Sequence, residues 1–538
     1  MPSDAPSALS NSPKPQALYD ALRERILARD QQGASDVYYD IARQQRPITE
    51  IIAAAVNIHA PYTHVPYHER IEDGFVNFVN NDHCLLSARA GLNLARLLPE
   101  DCAALPLAQT IWYIPTGLDI WNQKILKAPG HYARAPGWTP PPGPPPMPEI
   151  VWPDQAPEHL DGPLQQRLDH WMTLVHRGQV LEAYRVFLGL IDNPAERKAA
   201  LAQLMVAGLM DVQDRALYNR SYTTGHKGFR ARATVELGNA LGWDNAHDVV
   251  YAGALDIAVG PRWYSTYEMA CNVIKIFLEK QPVSAIPYSG ASPEELAILA
   301  DNKDPLSREE EAALERAIIR EPEPGFLELL CKYLEAGKGP RRILDALQTA
   351  SAQVILETQG VNNFSLPQHC FEYLNSLAWF FDNFQHKQQV KLLILAASYL
   401  NRAASHQKGI GDAEPITLRA APGADKLSPE QILDRIDAAV LALDGKDGAA
   451  WTQAYLDSGA DRKPLVQRLA LLACRMGNDP HNQEIGQVLL EGWAKNQSPV
   501  RDRLLLACAH HTAMHRKYGN PFECAARFGA AMGVARLQ

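Results

Sequence analysis

The chain lacks an excess of positive charge. Its 538 residues carry 52 Lys and Arg against 61 Asp and Glu, a net charge of −9. With no basic stripe along the sequence, a phosphate-backbone partner is excluded and no nucleic-acid role is expected. Long apolar runs are missing too. A membrane-spanning helix needs about 18 or more apolar residues, and the nearest approach, Leu392 to Leu400, is too short and follows Lys387 and Lys391. It reads as a buried helix. The eight cysteines, scattered from Cys84 to Cys524, form no Cys-x-x-Cys pair. Met1 to Gln16 is polar and Ser/Pro-rich, without the apolar core of a secretion signal. Together these predict a cytoplasmic protein with reduced, packed thiols.

Strand signals are scarce. There is no sustained period-two alternation, and no Asn-Gly or Asp-Gly turn joins two β-branched runs. A Gly-x-Gly-x-x-Gly after a strand is absent, which removes a built-in dinucleotide fold. So is a Gly-x-Ser-x-Gly elbow. Gly225-His-Lys-Gly228 and Gly337-Lys-Gly-Pro340 do not have P-loop spacing, and His68-Glu-Arg-Ile-Glu72 lacks the second histidine of a zinc-protease helix. No fixed-period repeat marks a regular solenoid.

What remains is helix. Hydrophobic residues are 46% of the chain and charged residues 21%, ordinary for a packed globular protein of two to four domains. Apolar side chains recur at helical spacing in Leu18, Leu22, Ile26 and again in Leu168, Trp171, Met172, Val175. The fold class predicted is all-α, an irregular multi-helix bundle of antiparallel helix pairs with a proline-rich connecting segment. Five regions follow: an N-terminal helical region with a His-rich loop (1–134), a proline-rich linker or strap (135–160), a central helical domain (161–408), a loop (409–427) and a C-terminal helical region (428–538). The strap contains Pro140-Pro-Pro-Gly-Pro-Pro-Pro146, which cannot continue a helix. Residues 282–324 read as a polar surface excursion carrying one short helix.

Histidines provide the candidate chemistry. Val56 to Leu97 holds His59, His64, His68 and His83 beside prolines and tyrosines. The segment Asp82-His83-Cys84 opens an apolar helix, with Asp82 a plausible N-cap and Cys84, Ala88, Gly91 and Ala95 forming a stripe that admits a close neighbour. His226, His247 and His369 share this setting, each at the point where a small or polar loop becomes a helix. Helices that begin with histidine, packed side by side, could converge their imidazoles on one cavity. There they could ligate a transition metal or act as general bases near neutral pH. The catalytic candidates are His83, His226, His369 and His247, and the metal-ligand candidates are His64, His68, His83, His226 and His369. Aromatics such as Tyr62, Tyr67, Trp243, Trp263 and Trp379 could line an apolar pocket. Adjacent Cys84 and Cys370 point about 100° away from their histidines and do not pair with them. His511 and His515 share a face by i, i+4 spacing, but Arg516 and Lys517 beside them suggest a solvated helix. Asp211, Asp214 and Arg215 could orient an imidazole or form a surface ion pair.

Asn81-Asp82-His83 with its Leu/Ala-rich helix, Gly225-His226-Lys227 and the helix opening at His369 resemble the scattered histidine motifs of questin oxidase-like proteins. The resemblance runs in short patches, and the region after Ser428 lies outside it. It implies a helical, oxygen-dependent oxidoreductase acting on an aromatic small molecule, with His83, His226 and His369 in the site. Iron or another transition metal and an external reductant such as NADPH would then be its cofactors. Two alternatives stand beside it. One is a non-catalytic helical scaffold whose histidines are structural, and the other a cofactor-free hydrolase or isomerase using a His–Asp pair.

Overall fold

The computed structural model describes residues 13–60, 71–72, 75–76, 82–118, 155–210, 212, 225–243, 265–278, 299–358, 366–406, 418–477, 480–514 and 520–538. The chain opens with α1 (Gln16–Leu27), α2 (Gln31–Arg43) and α3 (Ile48–His59). A two-residue antiparallel ladder follows, β1 (Ile71–Glu72) against β2 (Phe75–Val76), before α4 (Asp82–Ala95) and α5 (Leu105–Leu118). Next come α6 (Leu164–Arg177), α7 (Val180–Asp192), α8 (Pro194–Met210), α9 (His226–Leu241) and α10 (Ser265–Val273), which a π-type turn prolongs through Ile274–Leu278. The middle of the chain supplies α11 (Arg308–Arg320), α12 (Gly325–Glu335), α13 (Pro340–Glu357), α14 (Leu366–Asn383) and α15 (Gln389–His406). The last group is α16 (Pro429–Leu441), α17 (Gly445–Asp457), α18 (Arg462–Arg475), α19 (Pro480–Lys495), α20 (Arg503–Met514) and α21 (Glu523–Met532). The class is all-α, as the periodicity predicts. Among the described residues no helix is long and apolar enough to cross a membrane.

Local chemistry accounts for the boundaries. Ser307 and Ser428 each close a capping box with the Glu310 or Gln431 three residues on, so α11 and α16 start there. Pro340 and Pro429 occupy first-turn positions, where the missing N–H costs nothing. Gly178 and Gly533 end α6 and α21 in the left-handed conformation. Two helices, α2 and α21, were not expected from the sequence although each buries an apolar face at helical spacing. Asp30 caps α2, accepting from the Gly33 N–H, and the helix buries Tyr38, Tyr39 and Ile41. Helix α21 buries Cys524, Ala525 and Phe528.

The expected surface excursion needs correction. Helix α11 buries Leu314, Ala317, Ile318 and Ile319 and packs on α13 and α15, so it belongs to the core; residues 279–298 lie outside the described ones. Helix α15, containing Leu392 to Leu400, is buried as expected. All eight cysteines are buried and free. The small-residue stripe of α4 does admit a neighbour. A Cβ on Gly91 would lie 3.0 Å from the Leu107 side chain of α5.

Four helices from distant parts of the chain form a ring at the centre. Helix α4 packs on α9, α9 on α14, α14 on α19, and α19 back on α4. Thus α19, from beyond the 409–427 loop, lies between helices of the N-terminal and central regions. Helix α8 supports the ring behind α9 at very short range. A Cβ on Gly208 would sit 2.6 Å from the Lys227 carbonyl oxygen. Only glycine allows that approach, and it fixes the first turn of α9. Gly208→Ala is therefore expected to lower stability by about 1–3 kcal/mol through overpacking. Urea denaturation of the two proteins checks this, and an unchanged midpoint would contradict the close-contact account.

Candidate functional site: a four-histidine ring

Each helix of the ring places one histidine in its first turn. His83 is the second residue of α4, His226 the first of α9, His369 the fourth of α14 and His481 the second of α19. All four are buried. Their rings follow one another in a closed circuit: His83 to His226 at 5.5 Å, His226 to His369 at 5.1 Å, His369 to His481 at 5.5 Å and His481 to His83 at 4.3 Å between centroids. Ligand atoms of His83, His226 and His481 all lie within 4.8 Å of one another. Tyr113 of α5 and Phe229 of α9 close the sides, 6.2 Å from His83 and 5.5 Å from His226.

Carboxylates occupy the next turn down. Glu484, fully buried, accepts from His83 Nδ1 at 3.0 and 3.2 Å. A hydrogen bond to Nδ1 fixes the proton there and leaves Nε2 as the ring atom available for ligation. Glu372 of α14 lies opposite, 3.7 Å from the Arg89 guanidinium of α4. Burial pushes the Glu372 carboxyl up to about 8, and the nearby Glu484 charge adds to the effect, while Arg89 and His83 oppose it. Burial likewise holds His226 well below its usual 6.5, helped by the neighbouring imidazoles of His369 and His83, by Arg230 and by His481. A neutral imidazole is the form that binds metals.

Below the carboxylates an arginine ties the helices together. Arg232 of α9, fully buried, donates to Glu236 at 2.6 Å, to Asn375 of α14 at 2.5 Å and to Glu491 of α19 at 2.5 and 2.7 Å. Its guanidinium lies 5.3 Å over the Trp379 ring. Glu236 accepts in turn from Asn93 of α4 at 2.8 Å. Burial works against charge on Glu236, yet Arg232 and Arg89 hold its carboxyl below the ordinary range. Because residues at matching distances from the four histidines pair in this way, the ring helices run in the same direction, with their N-termini gathered at the imidazoles.

The sequence-predicted residues fall into two groups. His83, His226 and His369 are brought together; His64, His68 and His247 lie outside the described residues, as do Asp211, Asp214, Arg215 and His515. The expected solvated helix around His511 is corrected: His510 and His511 are buried at 3% and 2% exposure. Burial also depresses His510, against hydrogen bonds with the Gly445 and Thr358 backbone. Cys84 and Cys370 are packed thiols whose burial raises them far above their usual range, so neither supplies a thiolate. His481, Glu484 and Glu372 were missed by sequence reasoning. A signal existed in the matched pair His369-Cys-Phe-Glu372 and His481-Asn-Gln-Glu484, both opening helices. No protein family, no curated protein and no solved structure matches the chain.

Opposite shifts on His226 and Glu372 make acid sensitivity a measurable property of the ring. His226, depressed in the fold, stays neutral while the unfolded chain takes up a proton below 6.5, so its contribution falls as pH drops. Glu372, raised in the fold, contributes fully below the unfolded value of 4.5 and loses that contribution as pH rises towards 8. Below 6.5 the two slopes oppose each other. Glu372→Gln should expose the histidine slope, making stability fall more steeply on acidification by about 1.4 kcal/mol per pH unit. Urea unfolding at several pH values measures it; parallel curves for the two proteins would contradict a neutral, buried Glu372.

Proposed function

We propose that the chain is a metal-dependent oxidoreductase, an oxygenase that acts on an aromatic or other apolar small molecule at the four-histidine ring. The observation that carries this reading is the convergence of His83, His226 and His481 to within 4.8 Å, with His369 completing the circuit. Neutral nitrogen donors without thiolate suit iron, copper, manganese or zinc, and iron fits both the donor set and the resemblance to questin oxidase-like proteins. Such a metal supplies activation of molecular oxygen. Glu484 orients the His83 imidazole, as a carboxylate partner does for many metal-bound histidines. Tyr113 and Phe229 give the site apolar walls. The protein is read as cytoplasmic, with a small-molecule substrate and an external reductant.

Among the described residues the His–acid pair at the ring is His83 with Glu484, the pair that a cofactor-free hydrolase or isomerase would use there.

Protein purified without a His tag and loaded anaerobically with iron(II) is expected to hold about one ion per chain by elemental analysis. His481→Ala should abolish that binding. Glu484→Gln should weaken it by about 10–100-fold, the usual cost of losing such a partner. Failure to bind iron, copper, manganese or zinc would end the metal reading, and binding without oxygen uptake on any aromatic substrate would count against the oxygenase.

A further inference from the structure

A cavity opens at the far end of α14. It has a volume of about 640 Å³, well inside the range of small-molecule sites. From His369 to Phe381 the helix rises roughly 18 Å, so this cleft is separate from the histidine ring. Its walls come from the first turn of α13, the turn between α14 and α15, and the loop before α11.

The lining combines cations with aromatic rings. Arg341 and Arg342 from α13, Lys387 from the turn and Lys303 from the loop face Phe381 and Phe384, and the acidic wall residue is Asp301. The two arginines are held in place. Asp345, buried at 1% exposure, takes Arg341 on one oxygen at 2.5 Å and Arg342 on the other at 2.8 Å. Asp345 itself accepts from the Gln497 N–H at 3.3 Å. Arg341 also reaches Asp382 at 2.8 Å. Lys303 and Lys387 have no ion pair among the described residues. Counting Asp345 and Asp382 against the arginines, the two free lysines still outweigh Asp301. His386 adds no charge, because burial and then Lys387 lower it to about 4. Basic residues in the first turn of a helix also oppose its dipole, a cost that an anion in the cleft would relieve.

We propose that this cleft binds a nucleotide, with the phosphates among Lys303, Lys387 and Arg342 and the base against Phe381 and Phe384. Phe381 is half-buried at the wall, and Phe384, buried against Trp379 and Phe380, backs it; planar rings stack on such aromatic side chains, and phosphate pairs with guanidinium and ammonium groups. The site is independent of the oxygenase reading, since it shares no residue with the histidine ring. At that separation a bound nucleotide cannot hand a hydride directly to the ring, so its role is that of a ligand bound apart from the reacting atoms.

Isothermal titration of the full chain with ADP, NADPH, adenosine and inorganic phosphate tests the assignment. ADP is expected to bind with a Kd below about 1 mM, and adenosine and phosphate at least roughly tenfold more weakly, since each keeps half of the contacts. NADPH binding as tightly as ADP would support the same site for the shared adenosine diphosphate unit. Lys303→Gln and Lys387→Gln, both surface changes that leave the fold intact, should each weaken ADP several-fold, and Phe381→Ala should weaken it without affecting phosphate. His481→Ala should leave ADP binding unchanged, which keeps this result distinct from any failure at the metal. No binding by ADP or NADPH, phosphate binding as tightly as ADP, or indifference to both lysine substitutions would overturn the proposal.

Discussion

Four helix N-termini meeting at one point are the constraint around which this molecule is organised. Each carries roughly half a positive unit charge from its unpaired N–H groups, and four of them side by side repel. Glu484, one turn below the imidazoles and hydrogen-bonded to His83, brings negative potential to the same place. Arg232 then links α9 to α14 and α19, while Glu236 extends the link to α4 through Asn93. The result is a polar shaft inside an otherwise apolar core. Breaking such a buried network by removing one partner costs about 3–5 kcal/mol, so the histidine ring and the tertiary fold are held by the same contacts.

That arrangement explains why the site draws on the whole chain. His83, His226, His369 and His481 come from regions far apart in the chain, yet each lies in the first turn of its helix. Their common setting also disposes the chemistry. Positive potential at the helix starts and burial both favour neutral imidazoles, and neutral imidazoles are ligands. A metal cation delivered to this point would meet the nitrogen donors of His83, His226 and His481 and two nearby carboxyl groups, and the helix N-termini would attract an anionic co-ligand.

Much of the architecture was legible from periodicity. Helices such as α1, α6, α7 and α14 show clear apolar stripes between Pro, Gly and capping signals. Helix α2 was missed although Ala34, Tyr38 and Ile41 lie at helical spacing and are buried, because its polar and small opening Gln31-Gln-Gly masks that stripe. Among the site residues, His83, His226 and His369 stood out because each begins a helix after a distinctive loop. His481 has the same placement, directly after Pro480, but its segment continues Asn-Gln-Glu, which reads locally as a solvated helix start. In the structure those four residues are almost completely buried. Only the packing of α19 between α4 and α14 reveals that, and no local pattern encodes it. His511 shows the converse error, since nearby Arg516 and Lys517 suggested solvent where α20 is in fact enclosed.

The proposal to be tested is that the imidazoles of His83, His226 and His481 form one coordination sphere. X-ray absorption at the iron edge of loaded protein measures that sphere directly. A shell of nitrogen scatterers with imidazole multiple scattering is expected, at about 2.0–2.1 Å as is usual for histidine ligation, with loss of one imidazole in His226→Ala. A shell dominated by sulfur, or by oxygen with no imidazole signature, would contradict it.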